Sequence, residues 1–179
     1  VCETPSTVAT TATTSTSSAA TSSGVGGSGG QSAEPAVRFV GRYDQSAAGI
    51  TKLAWSGSSI QFRFEGSEAA VRLDDAGRYI TVVVDGKLQP RLATTKGDKL
   101  YPIATGLSEG VHEVRLYRRT EASFGTTAFL GLELGGGKLL APPPAPDRRI
   151  EVIGDSISCG YGNEGADENC NFSSDTENH

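Results

Sequence analysis

Ser59-Ile-Gln-Phe-Arg-Phe-Glu65 alternates apolar and polar residues along its whole length, which puts Ile60, Phe62 and Phe64 on one face of a strand and Gln61 and Arg63 on the other. The habit recurs downstream. Ala70-Val-Arg-Leu-Asp74 repeats it with Val71 and Leu73, and Tyr79-Ile-Thr-Val-Val-Val84 is rich in β-branched residues before it runs into Asp85-Gly86, the strongest short hairpin signal in the chain. Leu100-Tyr-Pro-Ile103, Val111-His-Glu-Val-Arg-Leu-Tyr117 and Ala128-Phe-Leu-Gly-Leu-Glu-Leu134 complete the series, and no stretch between Ala36 and Leu134 carries a 3.6-residue apolar period. About eight strands at near-regular spacing, with little helix, predict a mainly β fold: a two-sheet sandwich of the jelly-roll kind over residues 36–138.

The composition changes on both sides of this region. Residues 1–35 are Ser, Thr, Ala and Gly with almost no side chain larger than valine, too little apolar surface to offset the entropy of ordering. They are expected to form a disordered, Ser/Thr-rich linker of the kind that tethers modules and carries O-glycans. After Leu134, Gly135-Gly-Gly137 and Leu140-Ala-Pro-Pro-Pro-Ala-Pro146 break the strand pattern. Proline supplies no ladder donor and favours extended geometry, so residues 139–149 read as a connector. Ile150-Glu-Val-Ile153 then has the continuous apolar character of a strand buried on both faces, which predicts the opening of an α/β domain over residues 150–179.

The formal net charge of −5, with no basic cluster larger than Arg118-Arg119 or Arg148-Arg149, argues against nucleic acid as a partner. No apolar run approaches the roughly 20 residues that cross a bilayer, so no membrane partner is expected. The chain has no methionine and no basic, apolar and small-residue leader at Val1, and is therefore expected to lack the start of its gene product. Three cysteines do not fix a compartment. Cys2 stands beside the linker, where it could end an upstream disulfide-bonded module. Cys159 and Cys170 are close enough to close a small loop, which as a disulfide would contribute about 3 kcal/mol in the chain-entropy account; reduced thiols are the alternative. Asn171-Phe172-Ser173 is an Asn-x-Ser acceptor, which fits a secreted, extracellular protein.

A serine hydroxyl becomes a useful nucleophile only with a base for its proton, donors for the oxyanion and a turn that exposes the oxygen. The turn after Ile153 meets the last need. Gly154 permits a tight exit from the strand, Asp155 tolerates unusual backbone angles, and Ser156 then sits at a strand's carboxyl end with its own N–H available as an oxyanion donor. Gly-Asp-Ser alone is equally compatible with a helix-capping serine or a simple turn.

The longer string Gly154-Asp-Ser-Ile-Ser-Cys-Gly-Tyr-Gly-Asn-Glu-Gly165 resembles the first catalytic block of the SGNH hydrolase superfamily, and specifically of carbohydrate esterase family 2. Gly41-Arg-Tyr-Asp44, Ala54-Trp-Ser-Gly57, Val84-Asp-Gly86, Gly110-Val-His112, Arg119-Thr-Glu121, Cys170 to Phe172 and Thr176-Glu-Asn178 are similar to further landmarks of that family in the same order, so the resemblance spans roughly Val37 to His179. It implies a jelly-roll domain followed by the truncated start of an α/β SGNH-hydrolase domain. The implied activity is removal of O-acetyl groups from acetylxylan and related plant polysaccharides or oligosaccharides through an acyl-enzyme on Ser156, by a monomer without metal or cofactor. A carbohydrate-binding sandwich without catalysis is the alternative.

The resemblance also implies a Gly and an Asn oxyanion donor and a late catalytic His, none of which can be placed here. An Asp-x-x-His pair ending at His179 would need Asp at position 176, which is Thr176. His112 falls in a sandwich strand and reads as a structural histidine. The chain by itself is therefore expected to be inactive. Asp155 is expected to shape the serine turn. Tyr161, Asn163 and Glu164 either line a sugar cleft or pack on the neighbouring domain. Arg119 and Glu121 are expected to pair near the interdomain seam, unless they are a solvated surface pair. Trp55 suits sugar stacking or core packing, and its place in Leu53-Ala-Trp-Ser ahead of a glycine turn favours the core.

Overall fold

The computed structural model describes residues 36–148, 150–158, 160 and 162–170. The expected linker, Cys159, Tyr161 and the segment 171–179, with its acceptor asparagine and His179, lie outside the described residues.

Two antiparallel sheets form a β-sandwich. One sheet runs in spatial order β1 (Val37–Val40), β4 (Ser59–Gly66), β10 (Gly110–Arg118), β6 (Tyr79–Val84), β7 (Lys87–Leu88), with β12 (Lys138–Leu140) also on β4 and β8 (Leu92–Ala93) also on β6. The other runs β2 (Tyr43–Asp44), β3 (Thr51–Leu53), β11 (Thr127–Glu133), β5 (Ala69–Asp75), β9 (Gly97–Ala104). Alternation explains the layering. Ile60, Phe62 and Phe64 of β4 point inward and are buried, and β10 lies beside them with Leu116 opposite Ile60 and Val114 opposite Phe62. Val82 and Val84 extend this face; Leu53, Val71, Leu73 and Phe129 supply the facing layer from the second sheet. Full burial of each large apolar side chain contributes about 1.5–3 kcal/mol, so this shared interior dominates the stability.

The Asp85-Gly86 signal is realised as a two-residue hairpin between β6 and β7. Both turn residues are left-handed, with φ of 50° and 74°, which suits the right-handed twist of the flanking strands. A polar stitch joins the sheets where β10 ends. Arg118, from the first sheet, is buried and its Nε donates to Thr120 O at 3.0 Å and its Nη2 to Gly125 O at 2.6 Å. Its Nη1 also bonds the Thr127 hydroxyl of β11, which in turn donates to buried Asp75 of β5. Asp75 accepts further bonds from the Thr94 hydroxyl and from the backbone N–H groups of Gly77 and Arg78, at 3.0 and 3.1 Å for the two amides. Burial pushes the Asp75 carboxyl up, but these donors outweigh it and leave its pKa below the usual carboxylate value.

Three expectations are corrected. Twelve strands, several of two or three residues, form among the described residues where about eight were expected, because short edge strands carry too few residues to show an alternation. Trp55 is not in the core: it is 53% exposed. It lies in the loop between β3 and β4, where a turn bond from Ser58 N to Trp55 O at 3.2 Å takes the chain out of the in-out alternation that buries Leu53. Ile150, Val152 and Ile153 form no strand and are 75–91% exposed. A strand buried on both faces needs parallel neighbours and covering helices, and the described residues contain neither.

Candidate active-site turn

Ser156 begins an exposed turn whose geometry comes from its neighbours. Asp155 Oδ1 accepts from Ile157 N at 3.0 Å and from Ser158 N at 3.3 Å, an aspartate-capped turn that fixes the backbone around the serine. Gly154 is needed for close approach: a Cβ there would lie 2.2 Å from Ser158 Oγ and 2.4 Å from Ser158 Cβ. The chain continues as consecutive turns, closed by Gly160 N to Ile157 O at 3.0 Å, Asn163 N to Gly160 O at 3.0 Å and Gly165 N to Gly162 O at 2.9 Å. Asn163 is exposed. Cys170 is exposed as well, and its backbone N–H donates to Asp167 O at 3.2 Å.

Glu164 is held by the sandwich. Arg119 Nη2 donates to Glu164 Oε2 at 2.6 Å, with the arginine side chain 6% exposed. The partner expected from sequence was Glu121, whose Oε2 instead accepts from Ser123 Oγ at 3.4 Å. The family resemblance suggested Glu121; the chain beyond the sandwich instead brings a carboxylate to the buried guanidinium from 45 positions away. A weaker contact, Arg42 Nη2 to Glu151 Oε1 at 3.9 Å, joins the same segment to the loop before β2.

His112 is locked away from this turn. Nδ1 lies 2.7 Å from Asp85 Oδ2, and Nε2 lies 2.8 Å from the Ser108 carbonyl. Both partners are acceptors, an arrangement that suits the doubly protonated ring, in which both nitrogens donate. The bond to Asp85, followed by that to Ser108, raises its pKa above the ordinary histidine value. Asp85 is held below the usual carboxylate range: burial raises it, but the Glu113 amide, 2.9 Å from Oδ1, and His112 prevail.

Sequence reasoning carried sugar stacking only as one option for Trp55 and missed the groove it borders, at the edge of the second sheet. Tyr43 is 47% exposed beside Trp55, and the Arg42 guanidinium lies 5.2 Å from the centre of the Trp55 ring. With Asp44, Lys52, Ala54 and Thr126 these side chains border a groove of about 320 Å³. Only the tertiary arrangement brings β2 and the β3–β4 loop together, so no local pattern announces it. Among the described residues, no cluster of His, Cys, Asp or Glu stands at metal-binding spacing.

A family model described as the N-terminal part of carbohydrate esterase 2 matches residues 39–144, the whole span of the sandwich strands from Phe39 onward. The chain belongs to carbohydrate esterase family 2. It is 41% identical over 145 residues to the cellulase/esterase CelE of Acetivibrio thermocellus, a match covering 80% of this chain and 18% of that protein. It is 31% identical over 117 residues to an acetylxylan esterase / glucomannan deacetylase of Cellvibrio japonicus, covering 65% of this chain and 32% of the relative. A solved family two carbohydrate esterase from Clostridium thermocellum, in complex with cellohexaose, superposes with a TM-score of 0.76 at 41% identity, over 79% of this chain and 44% of that one. The chain thus spans less than half the length of these family members.

Proposed function

We propose that this chain belongs to a secreted serine esterase that removes O-acetyl groups from plant cell-wall polysaccharides such as acetylxylan, with Ser156 as nucleophile. The observation that carries the reading is the exposed Ser156 turn, held by Asp155 and by the close approach of Gly154 to Ser158, within a chain whose family relatives are carbohydrate esterases. The Ser156 Oγ attacks the acetyl carbonyl carbon while a base takes its proton. The tetrahedral oxyanion is held by N–H donors, the Ser156 amide among them. The sugar hydroxyl leaves with the proton, and water then hydrolyses the acetyl-serine to acetate and free enzyme. His112 is unsuited to be the base, because both of its ring nitrogens are committed to Asp85 and the Ser108 carbonyl within the sandwich. The base and the remaining oxyanion donors belong to the longer polypeptide, which acts as a monomer outside the cell, where its polymer substrate is.

The alternative, a carbohydrate-binding sandwich, has one observation in its favour: the exposed Trp55 and Tyr43 beside a groove with charged rims, the side-chain set that stacks on sugar faces and bonds their hydroxyls. Two measurements separate the readings. A fluorophosphonate should label Ser156 in the full-length protein, which should release acetate from acetylxylan, whereas residues 1–179 alone should show no turnover above background. Labelling of another residue, or turnover by residues 1–179 at the full-length rate, would sink the esterase reading as stated. Xylan binding by residues 1–179 that is lost in Trp55→Ala, with no labelling of Ser156 in the full-length protein, would establish the alternative.

A further inference from the structure

The segment carrying Ser156 is tied to the sandwich on both sides of the serine, and the two ties differ in kind. Arg42 and Glu151 are largely exposed and 3.9 Å apart, so solvent screens them and the pair contributes little order. Arg119 and Glu164 are 2.6 Å apart, and the arginine is buried. A charge-assisted bond to a desolvated guanidinium is stronger and geometrically narrower than a surface pair.

Arg119 is also rooted. Ser56 Oγ donates to its carbonyl at 3.1 Å, and Gly57 N donates to the Arg118 carbonyl at 2.9 Å. The preceding Arg118 is fastened by the stitch between the sheets, so the backbone presenting Arg119 is anchored in both layers. On the other side, Glu164 lies in the last of three turns that begin at Ile157, each closed by its own backbone bond. Ile157 N is in turn held by Asp155 Oδ1, and Ser156 lies between them in sequence. A fixed point at Glu164 therefore limits where the serine backbone can go.

We infer that Arg119 is a positioning residue for the nucleophile: the sandwich sets the placement of the Ser156 turn through the Arg119–Glu164 pair. This inference rests on Ser156 being the nucleophile. It gives the β-sandwich a part in catalysis without contact with substrate. It also assigns Glu164 to the neighbouring-domain side of the two roles expected of it, away from the sugar cleft. Arginine suits the task because it stays charged when buried and its donors are fixed in a plane; lysine would supply the charge without that geometry.

The test uses the full-length protein, with 4-nitrophenyl acetate kinetics and the rate of fluorophosphonate labelling at Ser156. Because Arg119 is buried, Arg119→Met perturbs folding as well as position; Glu164→Gln, at a 39% exposed side chain, isolates the positional effect. A misplacement of about 1 Å can reduce rates by on the order of 10²-fold, so Glu164→Gln is expected to lower kcat and the labelling rate together by roughly 10- to 100-fold. KM should stay within about twofold, since no substrate contact is removed. Arg119→Lys should recover part of the rate lost in Arg119→Met, and the double variant should be no worse than the more severe single one. Wild-type labelling of Ser156 with an unchanged rate in Glu164→Gln overturns this inference alone, as does a loss confined to KM or additive effects in the double variant. Failure of the wild type to label at Ser156 overturns the nucleophile reading and this inference with it.

Discussion

Removing the charge on His112 should make the sandwich less stable, and pH alone can do it. When protonated, the ring donates from Nδ1 to Asp85 and from Nε2 to Ser108, with the side chain 9% exposed and packed 5.5 Å from the Phe64 ring centre. A neutral imidazole has one N–H, so deprotonation turns one of these bonds into a lone pair facing an acceptor. A hydrogen bond contributes about 0.5–1.5 kcal/mol net and up to about 3 kcal/mol when charged, so a loss of about 1–2 kcal/mol is expected. The sign follows from the raised pKa. The imidazolium is favoured in the folded state, so its contribution is fully present below the unfolded pKa of about 6.5 and disappears as pH rises through the higher folded value. Urea unfolding of residues 1–179 followed by circular dichroism should therefore give a midpoint lower at pH 9 than at pH 5.5. The difference is about 0.5–1 M, taking an m-value of about 2 kcal/mol/M. His112→Gln should remove most of the dependence. The only other histidine is His179, and His179→Asn should leave it in place. A midpoint that is flat or rises across this range, or a His112 ring that titrates below 6.5 by NMR, would refute the two-donor reading.

Other consequences are as specific. Phe62→Ala empties a fully buried site and should cost about 3–5 kcal/mol, whereas Trp55→Ala, at an exposed loop, should cost under about 1 kcal/mol; equal losses in urea unfolding would return Trp55 to the core. Asp75→Asn leaves Arg118, 3.8 Å away, without its carboxylate and should cost about 3–5 kcal/mol near neutral pH. Because the folded pKa of Asp75 is depressed, its contribution is present above the unfolded carboxylate value and is lost as pH falls through the folded one; the variant should unfold less steeply in acid than the wild type. Gly137→Ala would set a Cβ 2.4 Å from Glu65 O and 2.9 Å from Leu134 O, both backbone atoms that cannot swing aside. A melting temperature unchanged by that substitution, against an expected loss of about 1–3 kcal/mol, would contradict the close approach of β12 to β4.

The β-sandwich was legible because its central strands obey a local rule. Alternation in Ser59–Glu65, β-branching in Tyr79–Val84 and the Asp-Gly turn each need only neighbours in sequence, and the observed β4 and β6 match those limits within a residue. The motif around Ser156 was equally readable, as a string whose resemblance pointed to the family that the sandwich match shows. Short strands such as β2 and β7 were not, since two residues cannot display a period.

What remained for the tertiary structure was every pairing between distant positions. The sequence by itself determined the fold class, the inward faces of the main strands and the family, because those depend on side-chain period and on residue strings. It did not determine that Trp55 faces solvent under Arg42, that Arg118 and Asp75 share a buried network, or that Arg119 reaches Glu164. A buried charge takes the partner that chain topology brings to its desolvated end, and sequence separation does not predict which one arrives.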